Sequence, residues 1–315
     1  MVTIFYRRGG ELVVSQSVAM LAKTILSDVL WIDLLAPDGA EKHSVDDFLG
    51  IEIQSRAKAE EIESSSRFSE TEKALFANTN FLMPGPEDYT MEPVSFTFVG
   101  NCMTSLRDVP LRSFTELQRR IVAMPQSYPS GYSVFASIMD QRVDLDADMI
   151  ELMTKEISQY SKRVNQQEDI NEDFLLDINQ LQENTMIVRE NIVDKQRLLS
   201  NLMKSDKYPP ELRSRFGVIL QDITSLINHT DFSFERLEYL QETVVGLINL
   251  DQNNIMKIFT LVSVLLMPPT LVASFYGMNV PLPFMDKPWA WAALLAMMFA
   301  LVGAIFVVFK RKKML

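Results

Sequence analysis

Histidine and cysteine, on which most nucleophilic and transition-metal chemistry depends, are almost missing from this chain. Of 315 residues two are histidine, His43 and His229, far apart in sequence, and one is cysteine, Cys102. A histidine-based metal or nucleophile site is therefore not expected, and the chain reads as a non-enzyme. An internal disulfide is excluded, and a lone thiol suits a reducing compartment. No Walker-type glycine loop is present, so ATP-driven work by this chain is not expected. Basic residues are outnumbered: 30 Lys and Arg face 41 Asp and Glu, a net charge of −11. Nucleic acid is not an expected partner, because phosphate binding needs clustered cations. The acidic balance suits divalent cations, whose natural ligands are carboxylate oxygens, and equally suits a solvated surface. Residues 1–10 read as a strand followed by basic residues, without the apolar core of a secretory signal.

Charge is also missing from two long stretches near the C-terminal end, 258–285 and 288–309. Hydrocarbon about 30 Å thick needs ~20 apolar helical residues to span it. Each stretch suffices, giving spans over 257–276 and 288–309 joined by a loop over 277–287. The tetrad Tyr276-Gly277-Met278-Asn279 stands at the head of that loop. Lys257 precedes the first span and Lys310-Arg311-Lys312-Lys313 follow the second, within a basic tail over 310–315; the loop holds only Asp286 and Lys287. Positive charge marks the cytoplasmic side, so both termini are expected there, in a prokaryotic plasma or inner membrane. Trp289 and Trp291 suit an interfacial belt at the outer start of the second span.

Upstream, residues 1–128 read as an α+β domain, a mixed sheet covered by helices. Strands are expected at 2–6 and 11–14 around Gly9-Gly10, and at 29–34, 66–68, 74–82 and 94–99; helices at 18–26, 40–49 and 55–63. Residues 129–209 change texture. From Tyr132 to Met203 there is no proline or glycine, and apolar residues recur at helical spacing: Met149, Met153, Ile157, Tyr160, Val164, then Leu175, Ile178, Leu181, Met186, Ile192, Leu199. Two long antiparallel helices with a turn near 165–171 are expected. A stalk helix over 210–256 follows, opened by Pro209-Pro210 and continuing without a break into the first span. From 211 to 276 it would measure about 100 Å. One such helix cannot cover its own apolar face, so a homo-oligomer is expected.

One face of that helix differs from the rest. Steps of about 3.6 residues from Asn249 pass Asn253, Met256, Thr260, Ser263, Met267, Thr270 and Ser274, while positions between are mostly Ile, Leu, Val and Phe. Such a stripe suits a span that lines a channel, and small hydroxylated residues also serve close helix packing in membranes. Periodicity does not separate the two. The asparagines at the cytoplasmic end favour the channel, since amide oxygens suit hydrated cations.

With the tetrad ending the first of two C-terminal spans, the chain resembles the CorA metal ion transporters. The likeness takes in Asn253-Asn254-Ile255-Met256-Lys257-Ile258-Phe259, Met267-Pro268-Pro269-Thr270-Leu271-Val272-Ala273 and the closing basic cluster. The resemblance implies a funnel-shaped homopentamer whose first spans line a Mg²⁺ path, with the second spans facing lipid. Tyr276, Gly277, Met278 and Asn279 would form the entrance, where Mg²⁺, which sheds water reluctantly, is held still hydrated. Asn253 would be an inner polar ring, with Met256, Phe259 and Met267 as apolar constrictions that gate by dewetting. It further implies passive influx, closed by cytoplasmic Mg²⁺ bound between subunits through acidic side chains. No motif places that regulatory metal; Asp222, with Glu60, Glu61 or Asp88, is the candidate set. Many relatives carry acidic residues just after the tetrad, whereas 280–285 has none, which weakens attraction of cations to the mouth. Co²⁺ and Ni²⁺ are further possible cargoes. Zinc transporters of the same superfamily commonly depart from methionine in the tetrad, so Met278 favours magnesium. The reading from another class is a membrane-anchored coiled-coil scaffold, which would not need a polar stripe running to the tetrad.

Overall fold

A computed structural model describes residues 1–54, 67–85, 89–166, 170–278 and 287–311. It divides into two compact units, Met1–Gln241 and Glu242–Leu315.

Among the described residues the first unit is built on seven strands in the order β2-β1-β3-β7-β6-β5-β4. These are β1 (Val2–Arg8), β2 (Glu11–Ser15), β3 (Val29–Leu35), β4 (Phe68–Glu70), β5 (Leu75–Pro84), β6 (Tyr89–Val99) and β7 (Cys102–Arg107). Only β3 and β7 run parallel; the other neighbours are antiparallel. The mixed sheet expected from sequence is therefore present. Pro93 is accommodated inside β6 because pairing with β7 begins only at Ser95, so its missing N–H deprives no ladder on that side.

Period-two alternation sends successive side chains to opposite faces. On one face Val2, Ile4, Ile32 and Leu34 meet Val45 and Leu49 of α1 (Gly39–Leu49). That helix opens with a capping box, Asp38 Oδ1 accepting from the Glu41 N–H at 2.7 Å while Glu41 Oε2 accepts from the Asp38 N–H at 3.1 Å. On the other face Trp31, Phe81, Phe96 and Phe98 pack beneath α2 (Arg112–Ala123) and α3 (Gly131–Gln166). Phe135 of α3 lies 4.9 Å from Phe96, 5.4 Å from Phe98 and 6.0 Å from Phe216, ring centre to ring centre. Gly131 is required where α3 begins. Its N–H donates to Asn101 O at 2.7 Å, and a Cβ there would stand 2.5 Å from the Met103 nitrogen.

Two long helices occupy this stretch, α3 and α4 (Glu172–Lys204), the latter capped by Asn171, whose side chain accepts from the Phe174 N–H at 3.0 Å. Of the apolar positions read from sequence, Met149, Met153, Ile157, Val164, Ile178, Leu181, Ile192 and Leu199 are buried, but Met186 is exposed. Pro210 opens a 3-10 turn that leads into α5 (Arg213–Tyr276), a single helix shared by both units. In the second unit α5 is followed by α6 (Ala290–Arg311).

Three local expectations change. Residues 18–26 form two 3-10 helices, Val18–Lys23 and Leu26–Asp28, because Thr24 and Ile25 are extended and the chain enters β3 at Val29. The strand expected at 66–68 is β4, two residues later. Strand β7 and helix α2 were not anticipated. The helix expected at 55–63 lies outside the described residues.

Candidate ion path and its outer tetrad

Asn249, Asn253, Met256, Thr260, Ser263, Met267, Thr270 and Ser274 all stand on α5. At roughly 100° per residue they share an arc of about 100°, and Phe259 falls roughly 20° outside its edge. Each of these nine residues is exposed in the single chain, Met256 and Met267 by 62% and 67%. Bulky neighbours off the stripe, Ile255, Ile258, Leu266 and Leu271, are equally bare. A soluble helix buries one apolar stripe; α5 does so through Phe216, Ile219, Ile223, Leu237, Leu240 and Val244, but from 245 to 276 it buries nothing within its own chain. Both α5 and α6 contain stretches long and apolar enough to cross a membrane, and none of either stretch is buried.

The stripe's hydroxyls are not equivalent. Thr260 donates to Met256 O and Thr270 to Leu266 O, each at 2.8 Å. Such back-bonds to the preceding turn satisfy Thr in a helix interior. Pro268 and Pro269 both lie inside α5.

At the tetrad the helix ends at Tyr276, whose ring meets Phe275 edge-on at 5.8 Å. The Gly277 N–H donates to Ala273 O at 2.9 Å and the Met278 N–H to Phe275 O at 3.4 Å, closing the last turn. A Cβ on Gly277 would stand 3.2 Å from Ala273 O, so glycine lets the chain leave the helix tightly. Met278 is half exposed. Asn279 lies outside the described residues, as do Asp286 and 312–315. On α6, Trp289 and Trp291 flank the first turn, both exposed, and Lys310 and Arg311 form the last.

Of the candidates for a regulatory metal, Glu60, Glu61 and Asp88 lie outside the described residues. Asp222 is exposed on α5. Sequence reading missed its surroundings: burial pushes the Asp144 carboxyl of α3 up, and the charges of Asp140, Asp148 and Asp222 push it further. The spacing of Asp140, Asp144 and Asp148, one helical turn apart, was the available signal. Arg215 offsets part of this crowding through Asp140 Oδ2 at 3.0 Å. Among the described residues no three His, Cys, Asp or Glu side chains gather closely enough to hold a bare metal ion. His43 is exposed and lies 3.5 Å from Asp47, and His229 is exposed on α5.

A sheet-and-helix unit continued by one long helix into two apolar helices of membrane length defines a two-span integral membrane protein. The comparisons make it specific: the chain belongs to the family of CorA-like Mg²⁺ transporter proteins, whose family model matches residues 27–311. It is 32% identical over 321 residues to the magnesium transport protein CorA of Wolinella succinogenes, covering 100% of each chain. It is 31% identical to the magnesium transport protein CorA of Salmonella typhimurium, over 92% of this chain and 93% of that one. Its fold is similar to the complete structure of the CorA magnesium transporter from Methanocaldococcus jannaschii. The TM-score is 0.82 at 16% identity, over 99% of this chain and 98% of the other.

Proposed function

We propose that this chain assembles with copies of itself, five in number, into a passive path for divalent cations, Mg²⁺ foremost, with both termini in the cytoplasm. One observation carries the reading: a polar stripe on α5 that runs through an otherwise aliphatic span and ends at Tyr276-Gly277-Met278-Asn279. An anchor helix has no use for that stripe, because hydroxyls and amides facing lipid are costly. Membership of a family described by Mg²⁺ transport, and relatives named for it, support the same cargo.

In this reading Tyr276, Gly277, Met278 and Asn279 form the outer entrance. Carbonyl and amide oxygens there accept hydrogen bonds from the water ligands that Mg²⁺ is slow to release. Asn249 and Asn253 form the inner polar mouth. Met256, Phe259 and Met267 form apolar constrictions, which close when water leaves them. Thr260, Ser263 and Thr270 supply polar oxygen between them. Entry is driven by the membrane potential, about 2.3 kcal/mol per charge per 100 mV.

Closure follows from the acidic surface of the first unit. Carboxylates crowded around Asp144, with Asp222 among them, repel unless a cation sits between. Cytoplasmic Mg²⁺ held there in hydrated form relieves the repulsion and favours the closed assembly, with Glu60, Glu61 and Asp88 as further ligands. The test is metal uptake by the purified chain in liposomes, comparing Mg²⁺, Co²⁺, Ni²⁺ and Zn²⁺. Fast Mg²⁺ entry that needs no proton gradient is expected. Entry of Zn²⁺ alone, or of no metal, overturns the reading.

A further inference from the structure

The sheet of the first unit ends differently at its two edges. At β4, Ser205 Oγ donates to Glu70 Oε2 at 2.9 Å and Lys207 Nζ donates to Thr71 O, which ties the segment after α4 to that edge. At the other end β2 has β1 on one side and, among the described residues, no strand on the other. Edge strands are ordinarily blunted by proline, lysine or a bulge. Glu11-Leu12-Val13-Val14-Ser15 has none of these, and its register with β1 is unbroken.

Gly9 and Gly10, both at positive φ, form the two-residue turn from β1 into β2, with Arg8 opposite Glu11. Such a turn closes on a hydrogen-bonded pair, and bonded and non-bonded pairs then alternate along antiparallel strands. Glu11, Val13 and Ser15 therefore bond back to β1, while Leu12 and Val14 turn their N–H and C=O outward. No partner for these groups is found among the described residues. Val14 stands opposite Phe5, so its side chain shares the face that α2 covers, as does Leu12 two residues earlier. There α2 stops short of the sheet edge. A groove of about 410 Å³ lies between them, floored by Thr3, Phe5 and Val14 and walled by Thr115, Arg119 and Val122. Phe5 is closed off at 1% exposure, but Val14 and Val122 are bare at 41% and 56%. The N-terminal ammonium at the same groove is taken by Glu41 Oε2 at 2.9 Å. Arg119 is exposed and in no ion pair among the described residues, an uncommitted cation in a chain of net charge −11.

We propose that this edge takes an extended peptide segment of a cytoplasmic partner protein as a further strand beside β2. Its apolar side chains lie over Val14 into the groove, and a carboxylate meets Arg119. Main-chain bonds give such added strands their affinity and the side chains on one face their specificity. Leu12 and Val14 supply one donor and one acceptor each, so the contact is a small and reversible one, suited to regulation. It depends on no part of the ion path.

The probe is a fluorescent, end-blocked peptide, Val-Thr-Glu-Thr-Val-Thr, which presents valine and glutamate on one face when extended. A companion peptide carries lysine in place of glutamate. Anisotropy with the detergent-solubilised full-length chain should show the glutamate peptide binding about tenfold tighter than the lysine one, the weight of one hydrogen bond between charged groups. Arg119→Glu should reverse the order of the two peptides, a gain for the lysine peptide that unfolding cannot produce. Val14→Pro removes one outward N–H without touching the ladder to β1, a position where edge strands accept proline. It should weaken both peptides about tenfold while leaving the thermal midpoint in place. Failure of the glutamate peptide, and of its isoleucine and phenylalanine counterparts, to bind the folded chain overturns the proposal. Binding indifferent to either variant does so too. Hydrogen exchange that finds the Leu12 and Val14 amides protected before any peptide is added would give the edge to a second copy of this chain, and would equally overturn it.

Discussion

Lys195 is fully buried, and its replacement gives a sharp test of how the first unit is held together. Its Nζ lies 2.6 Å from Asp146 Oδ2, with 0% and 1% of the two side chains exposed. It also donates to Asn191 Oδ1, and Asn191 Nδ2 donates to Asn80 O of β5 at 2.8 Å. Arg142 stands 3.1 Å from the other Asp146 oxygen, donates to Leu82 O and lies over the Phe81 ring. The cluster therefore ties α3 to α4 and both to β5. Burial pushes the Lys195 pKa down; Asp146 opposes the change and Arg142 adds to it. Counting the neighbouring Arg67–Asp194 pair at 3.2 Å, the cluster has one positive charge in excess. Asp146→Asn leaves Arg142 and Lys195 buried with no carboxylate between them and should cost about 3–5 kcal/mol. Lys195→Met keeps the volume, removes the excess charge and leaves the Arg142–Asp146 pair intact. Asn191 Oδ1 and Asp146 Oδ2 each lose a donor, but Arg142 still neutralises the carboxylate, and the loss comes to about 1–3 kcal/mol. The gap of about 2 kcal/mol corresponds to roughly 1 M in urea midpoint. Trp31, the only tryptophan of the first unit, reports unfolding of the detergent-solubilised chain. A Lys195→Met midpoint as low as that of Asp146→Asn, or lower, would refute this account of the cluster.

Met256→Ala or Phe259→Gly should raise leak current at high cytoplasmic Mg²⁺, measured in planar bilayers; closure unchanged in both would place the gate elsewhere. Thermal midpoints of the oligomer should rise with Mg²⁺ more than with NaCl of equal ionic strength, because a ligand of the assembled state stabilises by mass action while NaCl only screens. Equal shifts would reduce the acidic cluster to a solvated face. Burial pushes Tyr132 up to about 12 and Tyr208 higher still. A phenol whose folded pKa is raised contributes stability that is fully present below its unfolded value near 10 and lost as pH climbs through the folded one. Stability of the first unit should therefore fall between about pH 10 and 12, and Tyr132→Phe should flatten that fall; a pH-independent midpoint across this window would contradict the burial of these rings.

The membrane half of the molecule was legible because hydrocarbon imposes a one-dimensional rule: charge-free stretches of sufficient length, basic flanks and a tetrad between them. The α3–α4 pair was legible through sustained 3.6-residue spacing without glycine or proline. Strand β7 was missed although Gly100-Asn101, a two-residue turn joining Val99 to Cys102, is a hairpin signal. The residues after it, Met103-Thr104-Ser105, are too polar for a typical buried strand. The Ser105 hydroxyl is spent inside: Ser105 Oγ donates to Asp33 at 2.8 Å and accepts from Trp31 Nε1 at 2.9 Å. Asp33 in turn takes two bonds from Arg107 and one from Gln118, which is how α2 is fastened to the sheet. No local pattern announces such long-range pairing. The same holds for Asp146, one of four aspartates between 140 and 148, which alone among them is buried. The Asp222 neighbourhood needed the third dimension, since Asp144 and Asp222 are far apart in sequence.

The most direct test of the central claim, that cations follow the α5 stripe through the tetrad, is Mg²⁺ uptake into liposomes by the unaltered chain beside Asn279→Ala. The account expects rapid, potential-driven entry through the former and none through the latter, with the same oligomer and thermal midpoint in both. Equal uptake by a folded Asn279→Ala oligomer would contradict it, because the ion would then enter by another route.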